Sequence, residues 1–381
     1  MLGKELCGIR RGISFTANLR TELMTNRRPQ KIFAGALCVL FALVAFAIVS
    51  LAESPSRAPS TARKIGVLAS QTSFAAAYGK AVVMGAELAA EEITKRGTPI
   101  ALVIEDDISD PKSVVSAYNK LAHVDHVDAI VGGTWWLDSV VKLAERGGVP
   151  LISCETLMEK GTVSSSKRFI MQGDLRNWVR VFEPVIREHG WTRGAAIRFT
   201  SSFGATLADE MRNIFSRDGR TFVGEFEYTD VQGEQANTLV LQLKRSNADV
   251  VYIDGQPSGV ATILRRMKEQ GLNTRGILTN NLISESVAQG LVKPADFPNL
   301  FYNTRSSFDS EFKSRFKAKF KEDPKLQADL GYYSVYLLAE ALKDKDPIGR
   351  LRSGMQVDGI PFVFNSDGVL QSIKQEANHL K

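Results

Sequence analysis

From residue 64 onward the chain alternates short apolar runs with longer amphipathic stretches. Residues 64–68 form a brief apolar run closed by Ala69, Ser70, Gln71, Thr72 and Ser73, the pattern of a buried strand that ends in a polar loop. The stretch that follows, up to Ile93, predicts a helix. Val82, Val83, Ala86, Leu88, Ala89, Ala90 and Ile93 make its broad apolar face, and Lys80, Glu87, Glu91, Glu92 and Lys95 are left to solvent. Gly79 and Gly85 weaken such a helix slightly relative to alanine, which points to close packing or to a backbone near a ligand.

The same rhythm continues along the chain. Strands are predicted at 100–105, 129–131 and 150–152, with helices at 111–124 and 137–146. This alternation implies a parallel sheet with helices on both faces. After 169–171 a second set begins, with helices at 177–189, 205–217, 238–246 and 258–270 and strands at 195–199, 222–228, 250–253 and 276–278. The rhythm then breaks. Two helices follow in succession at 310–321 and 327–343, and a hairpin is expected around Asn365-Ser366-Asp367-Gly368. The fold class is therefore α/β, with two doubly wound parallel-sheet lobes.

The N-terminus reads differently. Arg27, Arg28 and Lys31 precede the apolar stretch 32–51, and Ser50-Leu51-Ala52 places small residues where a signal peptidase reads them, so residues 1–52 are expected to be a signal peptide. An uncleaved membrane anchor is the alternative, because the stretch is about as long as the roughly 20 residues that span a bilayer. Residues 53–63, rich in serine and proline, read as a flexible tether. Residues 1–52 carry seven basic side chains against two acidic ones, so they hold most of the whole-chain charge of +6. The remainder is near neutral, which removes the basis for nucleic-acid binding. Cys7 and Cys38 fall in the leader and leave Cys154 alone, so the exported chain has no intrachain disulfide and depends on its core.

Four stretches, taken in order, carry a resemblance: YGKAVVMGAELAAEEI (78–93), IEDDISDPKSVVSAYNKL (104–121), GVPLIS (148–153) and FKSRFKAKFKEDPKLQADLGYYSVYLLAEAL (312–342), with FNSDGVL near the end. The chain from residue 64 resembles the type I periplasmic binding proteins, specifically the branched-chain amino-acid-binding group that serves ABC importers. The resemblance implies two lobes joined by three crossings, a small ligand in the cleft between them, and an ABC permease as membrane partner. It implies residues 64–173 and 302–350 for lobe 1, and 174–301 and 351–381 for lobe 2. A periplasmic monomer without metal or cofactor is expected.

In open α/β sheets, ligands collect beyond the carboxyl ends of the strands, where loops enter helix N-termini. In the first lobe those loops supply Ser73, Tyr78, Trp135, Trp136, Ser153 and Thr156 as candidate ligand contacts. In the second they supply Phe203, Gln256 and Asn281, which stand out through the resemblance. Trp135 and Trp136 occupy a loop that is rich in small hydroxyl residues in the amino-acid binders. Gln256 matches a site tyrosine, and Asn281 matches the acidic residue that pairs with the ligand ammonium. These departures turn the expectation from an α-amino acid toward a small solute that meets aromatic side chains. Each residue also has a plainer reading. The two indoles could pack under a loop, Ser153 and Thr156 could cap a turn, and Asp106, Asp107 and Asp110 read as a helix start before they read as a metal site.

An enzyme is the first rival, but no GxGxxG follows the first strand, and neither a GxSxG elbow nor a P-loop occurs. His123, His126, His189 and His379 form no catalytic or metal set, and Cys154 has no histidine in the other strand-end loops. The second rival is a sensor of the same fold, tethered to the membrane and signalling to a partner protein.

Overall fold

The computed structural model describes residues 62–72, 75–154, 165–229, 235–305 and 311–381. The expected signal peptide, nearly all of the tether, and the candidate residues Ser73 and Thr156 lie outside the described residues.

The first lobe begins β1 (Arg63–Ala69), α1 (Ala76–Lys95), β2 (Ile100–Asp106), α2 (Pro111–Asn119), β3 (Ala129–Gly133), α3 (Asp138–Gly147), β4 (Leu151–Ser153) and β5 (Arg168–Ile170). Its five strands are all parallel, in the order β2-β1-β3-β4-β5. Both faces are covered, as continuous apolar strands require. Ile65, Val67 and Ala69 pack with α1, while Leu68 and Ile130 pack with Val114, Tyr118, Val140 and Val141 of α2 and α3.

The second lobe runs α4 (Asn177–Arg180), α5 (Glu183–Glu188), β6 (Arg193–Phe199), α6 (Ser202–Ile214), β7 (Thr221–Tyr228), α7 (Ala236–Ser246), β8 (Val250–Ile253), α8 (Pro257–Glu269), β9 (Gly276–Thr279), α9 (Ile283–Ala288) and β10 (Leu300–Arg305). The helix expected over 177–189 is broken in two, with Pro184 in the first turn of its second half, where its missing N–H costs nothing. With the C-terminal strand β13 (Gln375–His379), the sheet order is β13-β10-β9-β8-β6-β7, and again both faces are covered, by α7 and α8 on one side and by α4, α5 and α6 on the other.

The chain then returns to the first lobe with α10 (Phe312–Phe320), α11 (Ala328–Ala341), α12 (Pro347–Arg352) and the short hairpin β11 (Met355–Val357) and β12 (Ile360–Phe362). It crosses once more to add β13 (Gln375–His379), antiparallel to β10, at the edge of the second sheet. Three crossings result.

Two boundaries differ from those expected. Residues 302–305 belong to the second sheet, because β10 pairs with β9 and β13. Residues 351–370 pack on the first lobe, where Leu351, Phe362, Phe364 and Leu370 join its core and Val369 bridges to Ile170. The apolar side chains of this segment find their cover beside Phe169 (Phe169 to Phe364, 5.0 Å between ring centroids) rather than on the second sheet. The turn at 365–368 itself forms as expected, with Asn365 N–H donating to the Val369 carbonyl (3.0 Å).

The α1–α11 contact organises the first lobe. Every residue of α11 from Leu330 to Ala339 is buried, as expected of a helix apolar on all sides. Each buried Leu or Val contributes about 1.5–3 kcal/mol relative to exposure. The two helices approach backbone to backbone. A Cβ at Gly85 would stand 1.8 Å from the Ala328 carbonyl oxygen, and one at Gly331 would stand 2.1 Å from that of Val82. Tyr332 and Tyr336 of α11 donate hydroxyl hydrogen bonds to Glu92 of α1 (2.6 and 3.0 Å).

Candidate functional site

On the first lobe, the loop after β1 is tied to the loop after β2 by two carboxylates. Asp106 accepts from the Gln71 N–H (2.8 Å), the Ile108 N–H (2.9 Å) and the Thr72 hydroxyl (2.7 Å). Burial acts to raise its pKa, but these hydrogen bonds to the charged form outweigh burial and hold the carboxyl below its usual range. Asp107, fully buried, accepts from the Ser70 hydroxyl (2.7 Å) and the Ser109 N–H (2.9 Å). Asp110 caps α2 through the Lys112 and Ser113 amides (3.0 and 2.9 Å). The three aspartates thus order loops and a helix end, and no cluster of three or more metal-ligating side chains occurs among the described residues.

Helix α1 starts against this wall. Gly79 lets it approach so closely that a Cβ there would lie 1.8 Å from the Ser70 carbonyl oxygen. That contact sets the position of Tyr78, a half-buried side chain whose ring meets Trp135 with centroids 6.1 Å apart and planes tilted by 38°. Trp136 turns the other way. It is 39% exposed, and its indole N–H donates to the Ser109 carbonyl (3.1 Å), so it braces the loop after β2. Ser153 is fully buried at the end of β4, where its carbonyl accepts from the Met171 amide (2.9 Å).

On the second lobe, Ser201 caps α6 through the Gly204 N–H (3.0 Å), and Phe203 in its first turn packs edge-on against Trp178 (5.6 Å between centroids). Gln256 stands at the N-cap position of α8 and its side chain makes no capping bond. Asn281 is half-buried, with an Oδ1 that is shielded from solvent and has no hydrogen-bond partner among the described residues. Behind these residues Asp254 closes β8 at 3% exposure, taking one long hydrogen bond from Asn280 Nδ2 (3.3 Å). Burial pushes its carboxyl up to about 7, against the opposing pull of that bond and of backbone N–H groups.

The two walls face each other across a cleft of about 340 Å3. Tyr78, Lys325 and Leu326 line it from the first lobe, and Asn281, Leu282 and Glu285 from the second. Tyr78 and Asn281 are thus brought to one cavity, Trp135 adjoins it through Tyr78, and Phe203 and Gln256 stand on other loops of the second lobe. Sequence reasoning missed Lys325, Leu326 and Glu285. The available signal was positional: 322–326 is the connector into the N-terminus of a helix expected to return to the first lobe. A second cavity, about 250 Å3, lies between α1, α11 and residues 356–358. Its Arg96 is already seated over the Tyr336 ring (5.4 Å) and paired with Asp358 (3.3 Å).

Two five- and six-stranded sheets, three crossings and a cleft between strand ends agree with the comparison to known families, in which the model of the periplasmic binding proteins matches residues 63–352. The chain belongs to that family. Within it, this periplasmic binding protein is similar to proteins described as binding amino acids. It is 28% identical over 234 residues to an amino acid binding protein of Pseudomonas aeruginosa, a match covering 59% of this chain and 62% of the relative. It is 27% identical over 233 residues to Leu/Ile/Val-binding protein homolog 1 of Brucella abortus, covering 56% of this chain and 59% of the relative. The matches thus span about three fifths of the length of these curated relatives. Among solved structures, the branched-chain amino acid transporter substrate binding protein LivJ of Streptococcus pneumoniae, in complex with isoleucine, superposes with a TM-score of 0.66 at 20% identity. That match covers 83% of this periplasmic binding protein and all of the other chain. A solute binding protein of an ABC transporter from R. palustris, in complex with benzoate, gives 0.67 at 18% identity, covering 84% and 93%. These likenesses show the fold.

Proposed function

We propose that this periplasmic binding protein is the extracytoplasmic solute-binding component of an ABC importer. It captures a small organic solute between its lobes and presents the closed form to a membrane permease, acting as a carrier and not as an enzyme. The observation that carries the reading is the cleft in which Tyr78 of one lobe and Asn281 of the other line the same cavity. A ligand that touches both lobes has differential affinity for the closed state, which is what hinge closure requires. Export by cleavage of the N-terminal segment and action as a monomer complete the proposal.

The cavity is at the lower end of the roughly 300–1,000 Å3 of small-molecule sites, which suits a solute of amino-acid or single-ring size. The Tyr78–Trp135 pair supports an aromatic or apolar contact, and Lys325 and Glu285 offer opposite charges at its rim. The test is a thermal-shift screen of branched-chain amino acids, aromatic carboxylates, amides and polyamines. A ligand that binds only the folded state raises the midpoint, by about 2.7 kcal/mol of stability at a hundredfold excess over Kd. A solute that raises the wild-type midpoint and leaves Tyr78→Ala unmoved supports the site. Equal shifts in both proteins would place binding elsewhere.

A further inference from the structure

Three strand-end segments of the second lobe, of which the one carrying Asn281 lines the cleft, converge on one buried carboxylate. Asn280, itself 1% exposed, donates its amide to Asp254 Oδ1 (3.3 Å) while its own Oδ1 accepts from the Leu282 N–H (3.0 Å), and Asn281 stands between the two. Gly204, in the first turn of α6 beside Phe203, comes so close that a Cβ there would lie 2.9 Å from Asp254 Oδ2. Gly255 and Gln256 follow Asp254 directly in the chain. The backbone of Asp254 is held from both sides, since its carbonyl accepts from the Tyr228 hydroxyl (2.8 Å) and its N–H donates to the Ile197 carbonyl (2.9 Å).

The charged and titratable groups around it do little to compensate a negative charge. From β6 comes Arg198, but it is paired with Glu225 (2.5 Å) and Glu227 (2.8 Å) of β7. From β7 comes Tyr228, and from β8 itself Tyr252, both with hydroxyls pushed well above their usual pKa by burial. The end of β9 offers only the neutral Asn280, and α6 offers Gly204. Besides that long side-chain bond, the carboxylate has only the Gly255 and Phe199 backbone N–H groups and the already paired Arg198 to support a charge, and burial outweighs them, so the neutral acid is favoured.

We propose that Asp254 is a proton-sensitive positioning residue: in its protonated form it holds the Gly204, Gln256 and Asn281 segments in place, and its ionisation loosens that wall of the cleft. This rests on the solute-binding reading for its biological meaning, with capture becoming weaker toward alkaline pH. The sign follows from linkage. With its folded-state pKa raised to about 7 from an ordinary 3.8, the stabilisation is fully present below about pH 4 and is lost as pH rises to about 7, beyond which nothing more changes.

Hydrogen exchange of the full chain without ligand, followed from pH 5 to 8.5 and corrected for intrinsic exchange chemistry, tests the proposal. In the wild type, protection of the amides at 203–205, 255–256 and 281–283 should fall on the order of tenfold per pH unit up to about pH 7 and then level off. Asp254→Asn keeps the shape without the proton and should show flat protection across the range. A wild-type profile that is flat over these segments would overturn the proposal, as would the same decline in Asp254→Asn. If the variant does not fold, the wild-type profile alone decides. Because no solute is present, a ligand screen that found nothing would sink the carrier reading and leave this result standing.

Discussion

Replacing Gly85 with alanine sets two effects of known sign against each other. Alanine in place of a helical glycine should stabilise α1 by about 1 kcal/mol through helix propensity alone. In this fold the added methyl meets the Ala328 carbonyl oxygen at 1.8 Å, its carbon at 2.8 Å and the Tyr332 nitrogen at 2.9 Å. All three are backbone atoms of α11, so no side-chain rotation relieves the clash. To reach an ordinary contact the helices must part by about 1.5 Å, opening gaps among the buried side chains that flank the crossing. Overpacking of this kind costs about 1–3 kcal/mol, and rigid backbone places it at the upper end, so Gly85→Ala should lose roughly 1–2 kcal/mol net. Chemical denaturation monitored by circular dichroism measures this, and the thermal midpoint should fall by a few degrees. Gly331→Ala meets the Val82 carbonyl at 2.1 Å from the other side and should cost a similar amount. Once one methyl has forced the helices apart the second finds room, so the double variant should lose less than the sum of the two. A stabilised Gly85→Ala, or strict additivity in the double variant, would refute the close crossing.

Other outcomes follow from the same coordinates. Tyr78→Ala and Trp135→Ala should each weaken solute binding roughly tenfold or more, the value of an aromatic contact, while leaving most of the stability intact; calorimetric titration checks this. Trp136→Phe removes the donor to Ser109 and should cost about 1 kcal/mol of stability in denaturant titrations, with a smaller effect on binding. Asp329→Ala takes away the carboxylate that accepts from Arg305 at the crossing out of β10 (2.6 Å), with both side chains largely buried, and should cost about 3 kcal/mol. Glu91 is held down to about 2, chiefly by its hydrogen bond to Lys319 and then by Lys95; because its side chain is 42% exposed, Glu91→Gln should cost under about 1 kcal/mol at neutral pH. That cost should be present above the usual carboxylate pKa and vanish as pH falls toward 2, which paired denaturation curves at pH 7 and 2.5 can read.

The parallel strands were legible because both faces of each sheet are covered, so 64–68, 195–199 and 250–253 read as apolar runs. The edge pair β10 and β13 was not, because LFYNTR and QEANH are half-exposed and their pairing joins residues far apart in sequence. The same non-locality hid the place of residues 351–370, whose apolar side chains carry no address for the lobe they will cover. In the site, Tyr78 and Trp135 could be proposed because loops at strand ends are where ligands collect. Lys325 and Glu285 became visible only with the fold, since their presence at the cleft depends on how the connector between α10 and α11 and the helix α9 are laid against it. The small loss of helix propensity at Gly79 and Gly85 did carry information, and both positions turn out to be places of close packing.

The route of the chain through two lobes has a consequence for how the molecule comes into being. The apolar stripe of α1 is made early in synthesis, but the helix that covers it, α11, begins at Ala328, more than two hundred residues later. Until then Val82, Ala86 and Ala89 have only part of their native cover, and the first lobe has no complete core to close. The second lobe waits in the same way for β13, the last strand of the chain. Neither lobe can complete its core or sheet until residues 328–379 have been made, so both remain incomplete for most of the synthesis of this chain. That delay would leave it dependent on holding factors while it waits.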